Sequence, residues 1–407
     1  MAEGSAMVSF PALAVERAMK VQEVILRAAN RQITWIQAAR ILGVADRTMR
    51  RMKWRYENFG CDGLLDKRRG QPSPKKAPLS DVEKILALYR DKYHGFNARH
   101  FRKKLVEDHD MDWSYTFVKT VLQGAGLIRK YKKRGRHHKR REPKACFGEM
   151  LHIDGSKHAW LALEPTQTQT LIVAMDDATS NLLYAQLWPQ ETTEAIMTAL
   201  KAIIAELGVP LSLYNDRAGW AFYSPKAGEK VSKTEFTQVG RALDELGVEH
   251  IPAYSPQARG RSERVNRTLQ DRLVNELKAA SIREVEAANE FIRKTYMPEH
   301  NLEFGHSPKD PTSCFIPAKA LNLDDVFCVK EKRVVSNDNV VRYENRYFQI
   351  EKQQDRATYA GLNVEVRAHL DGTFSVVRGI RVIGRYDQEG KLIAQTPRGR
   401  TPKQLAA

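Results

Sequence analysis

Three carboxylates in this chain have sequence settings that allow them to act together. Asp154 follows the apolar residues 150–153, Asp216 ends the apolar run 211–215, and Glu263 lies near the start of a long helical pattern. Two aspartates from strands and a glutamate from a helix can converge at one edge of a sheet. Carboxylate oxygens are ligands that Mg²⁺ prefers, and a pair of such ions cleaves and joins phosphodiesters. We therefore predict a two-metal site formed by these three acids.

The helix that carries Glu263 has an apolar stripe that repeats every four residues and is suited to packing on a sheet. The stripe consists of Val265, Leu269, Leu273 and Leu277. Glu263 lies off the stripe and shares a face with Arg267, whose guanidinium can bind a phosphate. Residues 147–300 alternate strand and helix patterns, which predicts an α/β core with a mixed five-stranded sheet.

Asp176 and Asp177 are rival candidates for metal binding because they also follow an apolar strand. The structural alternative is that both acids cap the turn that follows this strand. We favour that alternative, and we also interpret His152 as a residue that flanks the site rather than as a ligand. Taken singly, each of the three predicted acids could be an ordinary surface or capping residue, and only their combined settings favour a site.

The composition favours a polyanionic partner. The 407 residues include 66 Lys and Arg against 49 Asp and Glu, which gives a net charge of +17. Clustered positive charge promotes nucleic-acid binding through counterion release, whereas evenly spread charge would serve solubility alone. The four cysteines are scattered without a CxxC pair, which argues against a structural zinc site or a disulfide framework. With no signal peptide and no membrane-length apolar run, we expect a soluble cytoplasmic protein.

The N-terminal residues predict a helix-turn-helix domain. Thr34 can cap a short helix, Gly43 can end it, and Asp46 or Ala45 can open a second helix. The second helix is rich in cations, which suits entry into a major groove, although a plain αα-hairpin is the alternative. Its candidate DNA-binding residues are Arg47, Arg50, Arg51, Lys53 and Arg55.

The rest of the chain divides by composition and pattern. A dense basic run follows a second helical unit, and Lys132, Lys133, Arg134 and Arg136 within it are candidate DNA contacts together with Arg267. Alternating residues around an Asp-Gly turn predict hairpins and a small C-terminal β-barrel. The predicted division is a helix-turn-helix domain (14–66), basic linker (67–77), second helix-turn-helix-like domain (78–128), basic linker (129–146), core (147–300), linker (301–322), β-barrel (323–388) and disordered tail (389–407).

Three segments resemble the DDE transposases and retroviral-type integrases, and above all the ISNCY family of bacterial insertion-sequence transposases. They are residues 152–156 (HIDGS), 175–180 (MDDATS) and 255–273 (SPQARGRSERVNRTLQDRL). The resemblance extends over nearly the whole chain. It implies a ribonuclease H fold for the core, with Asp154, Asp216 and Glu263 as the catalytic triad. By the same resemblance Asp176 takes the position of a non-catalytic acid.

Two features depart from the integrase pattern. The interval between Asp216 and Glu263 is longer than is usual in integrases, and a polar insertion at residues 222–233 accounts for the difference. The chain also lacks the N-terminal His/Cys zinc module of retroviral integrases and has helix-turn-helix units in its place.

The resemblance implies a transposase that binds the terminal inverted repeats of its element. It would use two Mg²⁺ ions, or Mn²⁺ in their place, for 3′-end cleavage and strand transfer, without a covalent protein–DNA intermediate. Double-stranded DNA at the element ends and at the target would be its partner, and a homodimer or higher oligomer would assemble there, on the bacterial nucleoid. One alternative is a non-catalytic DNA-binding regulator derived from a transposase. Another is a nuclease of ribonuclease H type that nicks DNA without strand transfer.

Overall fold

The computed structural model describes residues 12–65, 77–130, 141–223, 235–254, 260–353 and 356–393. The chain divides into a first compact unit, residues 1–83, and a second one, residues 84–407. Within the described ranges, no helix combines the length and the apolar character that crossing a bilayer requires.

The first unit contains the predicted helix, glycine turn and basic helix. Its elements are α1 (Ala12–Ala29), α2 (Trp35–Ile41), α3 (Asp46–Phe59) and a 3-10 turn (Gly60–Leu64). Thr34 caps α2 by accepting a hydrogen bond from Gln37 N, while the Gln37 side chain accepts one from Thr34 N. Gly43 has a φ of 62°, which is the left-handed conformation that a tight turn between helices requires. The helix-turn-helix prediction is therefore confirmed.

Three further helices follow, namely α4 (Leu79–Asp91), α5 (Ala98–His109) and α6 (Tyr115–Gly124). Asn97 and Ser114 cap α5 and α6 with their side-chain oxygens. The helices enclose an aromatic core in which Tyr93 and Phe101 are almost completely buried. This helical subdomain lies mostly within the second compact unit.

The second unit is built on the mixed five-stranded sheet that the sequence predicts. Its strands are β2 (Leu151–His158), β3 (Gln169–Asp176), β4 (Leu182–Trp188), β5 (Ser212–Asn215) and β6 (Glu249–Pro252), in the order β4-β3-β2-β5-β6. The β2–β3 and β3–β4 pairs are antiparallel, whereas β5 lies parallel to both β2 and β6. Strand β3 is buried along its whole length because helices cover both faces of the sheet.

Helices pack on both faces of the sheet. Helices α7 (Thr193–Leu207) and α8 (Gln238–Glu245) share an apolar core with one face of the sheet. On the other face lie α9 (Gly260–Ala279), α10 (Val285–Phe291), a π-helical segment (Ile292–Tyr296) and α11 (Met297–Phe304). Leu269, Leu273 and Leu277 of α9 are completely buried against the sheet, as the stripe predicts.

The C-terminal residues form antiparallel β structure after a short helix, α12 (Leu323–Val326). Strands β8 (Cys328–Val334), β11 (Asn363–His369), β12 (Phe374–Arg378) and β13 (Arg381–Tyr386) make one four-stranded sheet, and β9 (Val340–Tyr343) and β10 (Arg346–Gln349) make a hairpin. The hairpin turns at Glu344 and Asn345, both at positive φ. The hairpin of β11 and β12, which turns at Asp371 and Gly372, is as predicted. The predicted barrel is not confirmed, since the strands described between 323 and 393 share one core and no closed barrel is found among them.

Two predicted linkers contain ordered elements of the core. The predicted linker 301–322 includes the end of α11 and strand β7 (Asp310–Ser313), which pairs in parallel with β1 (Cys146–Phe147) at the end of the predicted linker 129–146. Composition alone predicts linkers for these two segments. It carries no information on pairing between strands that are so distant in sequence. Most of the predicted disordered tail, from residue 394, lies outside the described residues.

Helix α5 is fastened to α9 by buried polar contacts. His100 Nε2 lies 2.6 Å from Glu276 Oε1, and Lys104 Nζ lies 3.1 Å from Glu276 Oε2. Burial raises the pKa of Glu276, but the hydrogen bond from His100 and the charge of Lys104 lower it more. Asn97, which caps α5, also donates a hydrogen bond to Asp271. The helical subdomain is therefore docked on the helix that carries Glu263.

Replacing Glu276 by Ala should destabilise this junction, because it leaves the buried His100 and the partly buried Lys104 without their shared carboxylate. We expect the free energy of unfolding, measured by urea titration, to fall by about 3–5 kcal/mol. The matched control is Glu290→Ala, which removes an exposed carboxylate paired with Lys294 and should leave the free energy of unfolding nearly unchanged. Equal losses in the free energy of unfolding for the two variants would contradict this role of Glu276 at the junction.

Candidate active site

Asp154 lies on the polar face of the central strand. Side chains alternate along β2, so Ile153 is buried in the core beneath α7 while Asp154 points towards α9. Asn266 Nδ2 donates a 2.9 Å hydrogen bond to Asp154 Oδ2, and Gln270 Nε2 donates a 2.9 Å bond to Ser156 Oγ. These two contacts fix the register of α9 on β2.

Asp216 follows the strand next to Asp154. The parallel register pairs His152 of β2 with Tyr214 of β5, and their rings meet edge to face at 5.2 Å, so both project from the same face. Asp154 and Asp216 each come two residues later, and the two paired strands lie about 5 Å apart. Asp216 Oδ1 accepts a 3.1 Å hydrogen bond from Ala218 N, which holds the start of the loop after β5.

Glu263 lies in the first turn of α9 and is exposed. It precedes Asn266, the residue that contacts Asp154, by one helical turn. The structure thus brings two strands and the start of a helix to one edge of the sheet. Across the described ranges, no three His, Cys, Asp or Glu side chains are gathered closely enough to hold a metal ion. The type of donor fits Mg²⁺, since all three candidates supply carboxylate oxygens.

Asp177 is a buried carboxylate that contacts two arginines and a histidine. Its Oδ1 lies 2.7 Å from His152 Nε2 and 3.3 Å from Arg261 Nε, and it also accepts a hydrogen bond from Arg141. Its Oδ2 accepts a 2.7 Å bond from Lys144 N. Burial raises the pKa of Asp177, but the hydrogen bond from His152 and the other contacts lower it to about 2. Asp177 and His152 are therefore committed to a structural ion cluster.

Asp176 closes the turn that follows β3. Its carboxylate accepts hydrogen bonds from Gly148 N at 3.0 Å, Thr179 N at 2.7 Å and Thr179 Oγ1 at 2.8 Å. Burial raises the pKa of this carboxyl group. The structural interpretation of Asp176 as a turn-capping acid agrees with these contacts.

The sequence gives no indication of the contacts that Glu191 makes with segments next to both aspartates. Glu191, just before α7, accepts a 2.6 Å hydrogen bond from Trp220 Nε1 in the loop after Asp216. Its carboxylate also covers Gly155, where an added Cβ would lie 2.3 Å from Glu191 Oε2. Glu191 thereby joins the residue after Asp154 to the loop after Asp216. No local motif marks this role, because it depends on three segments distant in sequence.

Comparisons with known proteins identify the family. A helix-turn-helix domain model matches residues 22–73. The chain is 30% identical to the putative transposase y4bF of Sinorhizobium fredii over 89% of its own length and 79% of that protein. It is 29% identical to the transposase for insertion sequence IS1202 of Streptococcus pneumoniae over 78% of its own length and 74% of that protein. The chain belongs to the transposase family.

Solved integrase structures show a more distant similarity to this transposase. The HTLV-2 integrase catalytic core domain in complex with magnesium is 17% identical and covers 36% of the chain and 82% of its own, with a TM-score of 0.27. A chain of the simian T-cell lymphotropic virus intasome in complex with PP2A regulatory subunit B56 gamma is 14% identical. The match covers 66% of the present chain and 90% of the intasome chain, with a TM-score of 0.32.

The DNA-binding candidates of the transposase have different settings. On α3, Arg47, Arg50, Arg51 and Arg55 are exposed. Lys53 is partly buried, with Nζ 4.7 Å above the Trp35 ring. Arg267 is exposed on α9. The remaining candidates lie outside the described residues, and they are Lys132, Lys133, Arg134 and Arg136.

Gly155→Ala should displace Glu191, because the new methyl group would overlap its carboxylate. We expect a loss of about 1–3 kcal/mol in the free energy of unfolding, measured by urea titration. Gly219→Ala is the control, since a Cβ at Gly219 meets no atom within 4 Å. Adding Glu191→Ala to Gly155→Ala should recover part of the loss, and strictly additive effects would rule out the contact.

The depressed pKa of Asp177 predicts acid sensitivity. A carboxylate with a lowered folded-state pKa stabilises the protein fully above its unfolded-state pKa, and this contribution is lost as the pH falls towards about 2. Asp177→Asn should lower stability at neutral pH and flatten the decline in stability between about pH 4 and pH 2. Urea midpoints across this range, compared with those of the wild type, measure the effect. If the decline in stability with falling pH were the same in Asp177→Asn as in the wild type, the lowered pKa of Asp177 would be contradicted.

Proposed function

We propose that this transposase binds the terminal inverted repeats of its element and catalyses DNA 3′-end cleavage and strand transfer. Asp154, Asp216 and Glu263 form its catalytic triad in this proposal. The observation that carries it is the parallel pairing of β2, which contains Asp154, with β5, which ends one residue before Asp216, together with the contact of α9 to Asp154 one turn after Glu263.

The triad would hold two Mg²⁺ ions, for which Mn²⁺ could substitute. When bound, such ions would offset the negative charge that develops on the phosphate. The protein's own contribution is to orient the acids. Asn266 holds one oxygen of Asp154, and the Ala218 amide holds one oxygen of Asp216. Arg267, exposed on α9, would bind a phosphate of the substrate.

The proposed reaction consists of two displacements at phosphorus. In the first, water attacks a phosphodiester at the element end, and a 3′-hydroxyl leaves. In the second, that 3′-hydroxyl attacks a target phosphodiester, and a target 3′-oxygen leaves with a proton. The number of phosphodiester bonds is conserved in the second step, so joining needs no external energy source. Neither step requires a serine or tyrosine nucleophile.

The proposed division of labour follows the order of the chain. The domain at 14–66 would read the inverted repeat with the cations of α3, and the domain at 78–128 would add a second DNA contact. The basic segment 129–146 would hold phosphates near the core, residues 147–300. Two element ends must meet before joining, so we propose a homodimer or higher oligomer on DNA, acting in the bacterial cytoplasm on the nucleoid.

The decisive experiment is strand transfer by the purified chain. Labelled duplex from the gene's own flanks and a target plasmid are incubated with Mg²⁺, Mn²⁺ or EDTA. The wild type should give metal-dependent joined product, whereas Asp154→Asn, Asp216→Asn and Glu263→Gln should each reduce it by at least about 10³-fold. Glu286→Gln, which changes an exposed acid of α10, should retain full activity.

The other outcomes have definite meanings. Tight binding to the flanks without cleavage in either metal would support the non-catalytic regulator. Metal-dependent nicking without joined product would support a nuclease. Full activity of any one triad variant would remove that residue from the site.

A further inference from the structure

Strands β12 and β13 form a hairpin whose two-residue turn has an unusual sequence. Arg378 and Arg381 are direct register partners, and only Gly379 and Ile380 lie between them. Gly379 has a φ of 60°, so the turn has glycine at its first central position, as in a type II′ turn. The turn requires that glycine, but it does not require an isoleucine at the second position.

Ile380 has a relative exposure of 106%, the highest among the large hydrophobic side chains of the described residues. The next highest is Leu302 on α11, at 89%. Single exposed hydrophobic residues are common on protein surfaces. Ile380 differs because it lies in a two-residue turn and is flanked by two exposed arginines.

The arginine pair is unfavourable for the isolated hairpin. Like charges directly opposite each other on neighbouring strands repel. Arg385, also exposed on β13, adds a third positive charge to the same hairpin. An arrangement that concentrates cations around an apolar tip becomes favourable when a polyanion with an apolar interior approaches it.

Duplex DNA has both properties. Phosphates line the minor groove, and stacked bases lie at its floor. Proteins that bend DNA insert apolar side chains between base steps there, while arginines bind the narrow groove. We propose that residues 378–381, the arginine–isoleucine tip, bind the minor groove of duplex DNA, with Ile380 as a wedge between base pairs. This site rests on the proposed function only in that the transposase acts on duplex DNA.

The test separates the wedge from the charge. Full-length wild type and Ile380→Ser are compared on a flank duplex with 2-aminopurine at successive positions, in Ca²⁺. Bending is followed by energy transfer between dyes at the duplex ends. The wild type should unstack one base step and bend the duplex. Ile380→Ser should lose both signals and keep binding within about threefold. Leu302→Ser, a control with a similarly exposed side chain, should behave as wild type.

The charges are tested by salt dependence. Arg378→Gln combined with Arg381→Gln should lower the slope of log affinity against log salt by about 2, since each arginine neutralises one phosphate. The control Arg283→Gln with Lys294→Gln removes the same charge from exposed positions in the core and should leave the slope unchanged. Thermal unfolding of every variant shows that the fold is kept.

The outcomes distinguish this proposal from the catalytic one. Unchanged bending by Ile380→Ser, or an unchanged salt slope for the double arginine variant, would overturn the tip proposal whatever the strand-transfer result. Loss of self-association by Ile380→Ser, with bending unchanged, would assign the tip to a protein contact and overturn it as well. Wild type that bends DNA through Ile380 but joins no strands would support the tip and refute the catalytic proposal.

Discussion

The geometry of the site depends on one buried charge, Asp177. A carboxylate without solvent must be compensated by cations and hydrogen bonds, so its partners are held at short distances. Two of those partners are His152 and Arg261. His152 comes two residues before Asp154 on the same face of β2, and Arg261 comes two residues before Glu263. The cluster therefore fixes the strand and the helix start from which two of the proposed catalytic acids project.

The sequence predicts those parts of the fold that depend on local periodicity. The apolar stripe of α9 predicts the face that packs on the sheet, and Leu269 and Leu273 are buried there. The Asp371-Gly372 pair predicts the hairpin of β11 and β12, because positive φ at glycine favours tight turns. The strand settings of Asp154 and Asp216 also follow from alternation. In each case the information lies within about ten residues of the element that it specifies.

Contacts between distant segments could not be predicted in this way. Asp176 and Asp177 are adjacent in a sequence typical of a turn, yet only Asp176 caps it, while Asp177 contacts Arg141, His152 and Arg261 from three segments. The Glu191 carboxylate fits where it lies because Gly155 has no side chain and because Trp220 donates a hydrogen bond to it. The β1–β7 pair likewise joins segments that composition marks as linkers. Such features depend on the assembled sheet rather than on any local pattern.

The same contacts also hold the two described ends of the basic run. Its described end, Arg141, contacts Asp177, and its carbonyl accepts a 3.0 Å hydrogen bond from Arg261 at the start of α9. Its other described end, Lys130, follows α6 in the subdomain that is docked on α9 through His100. Both ends are therefore held by the helix that carries Glu263.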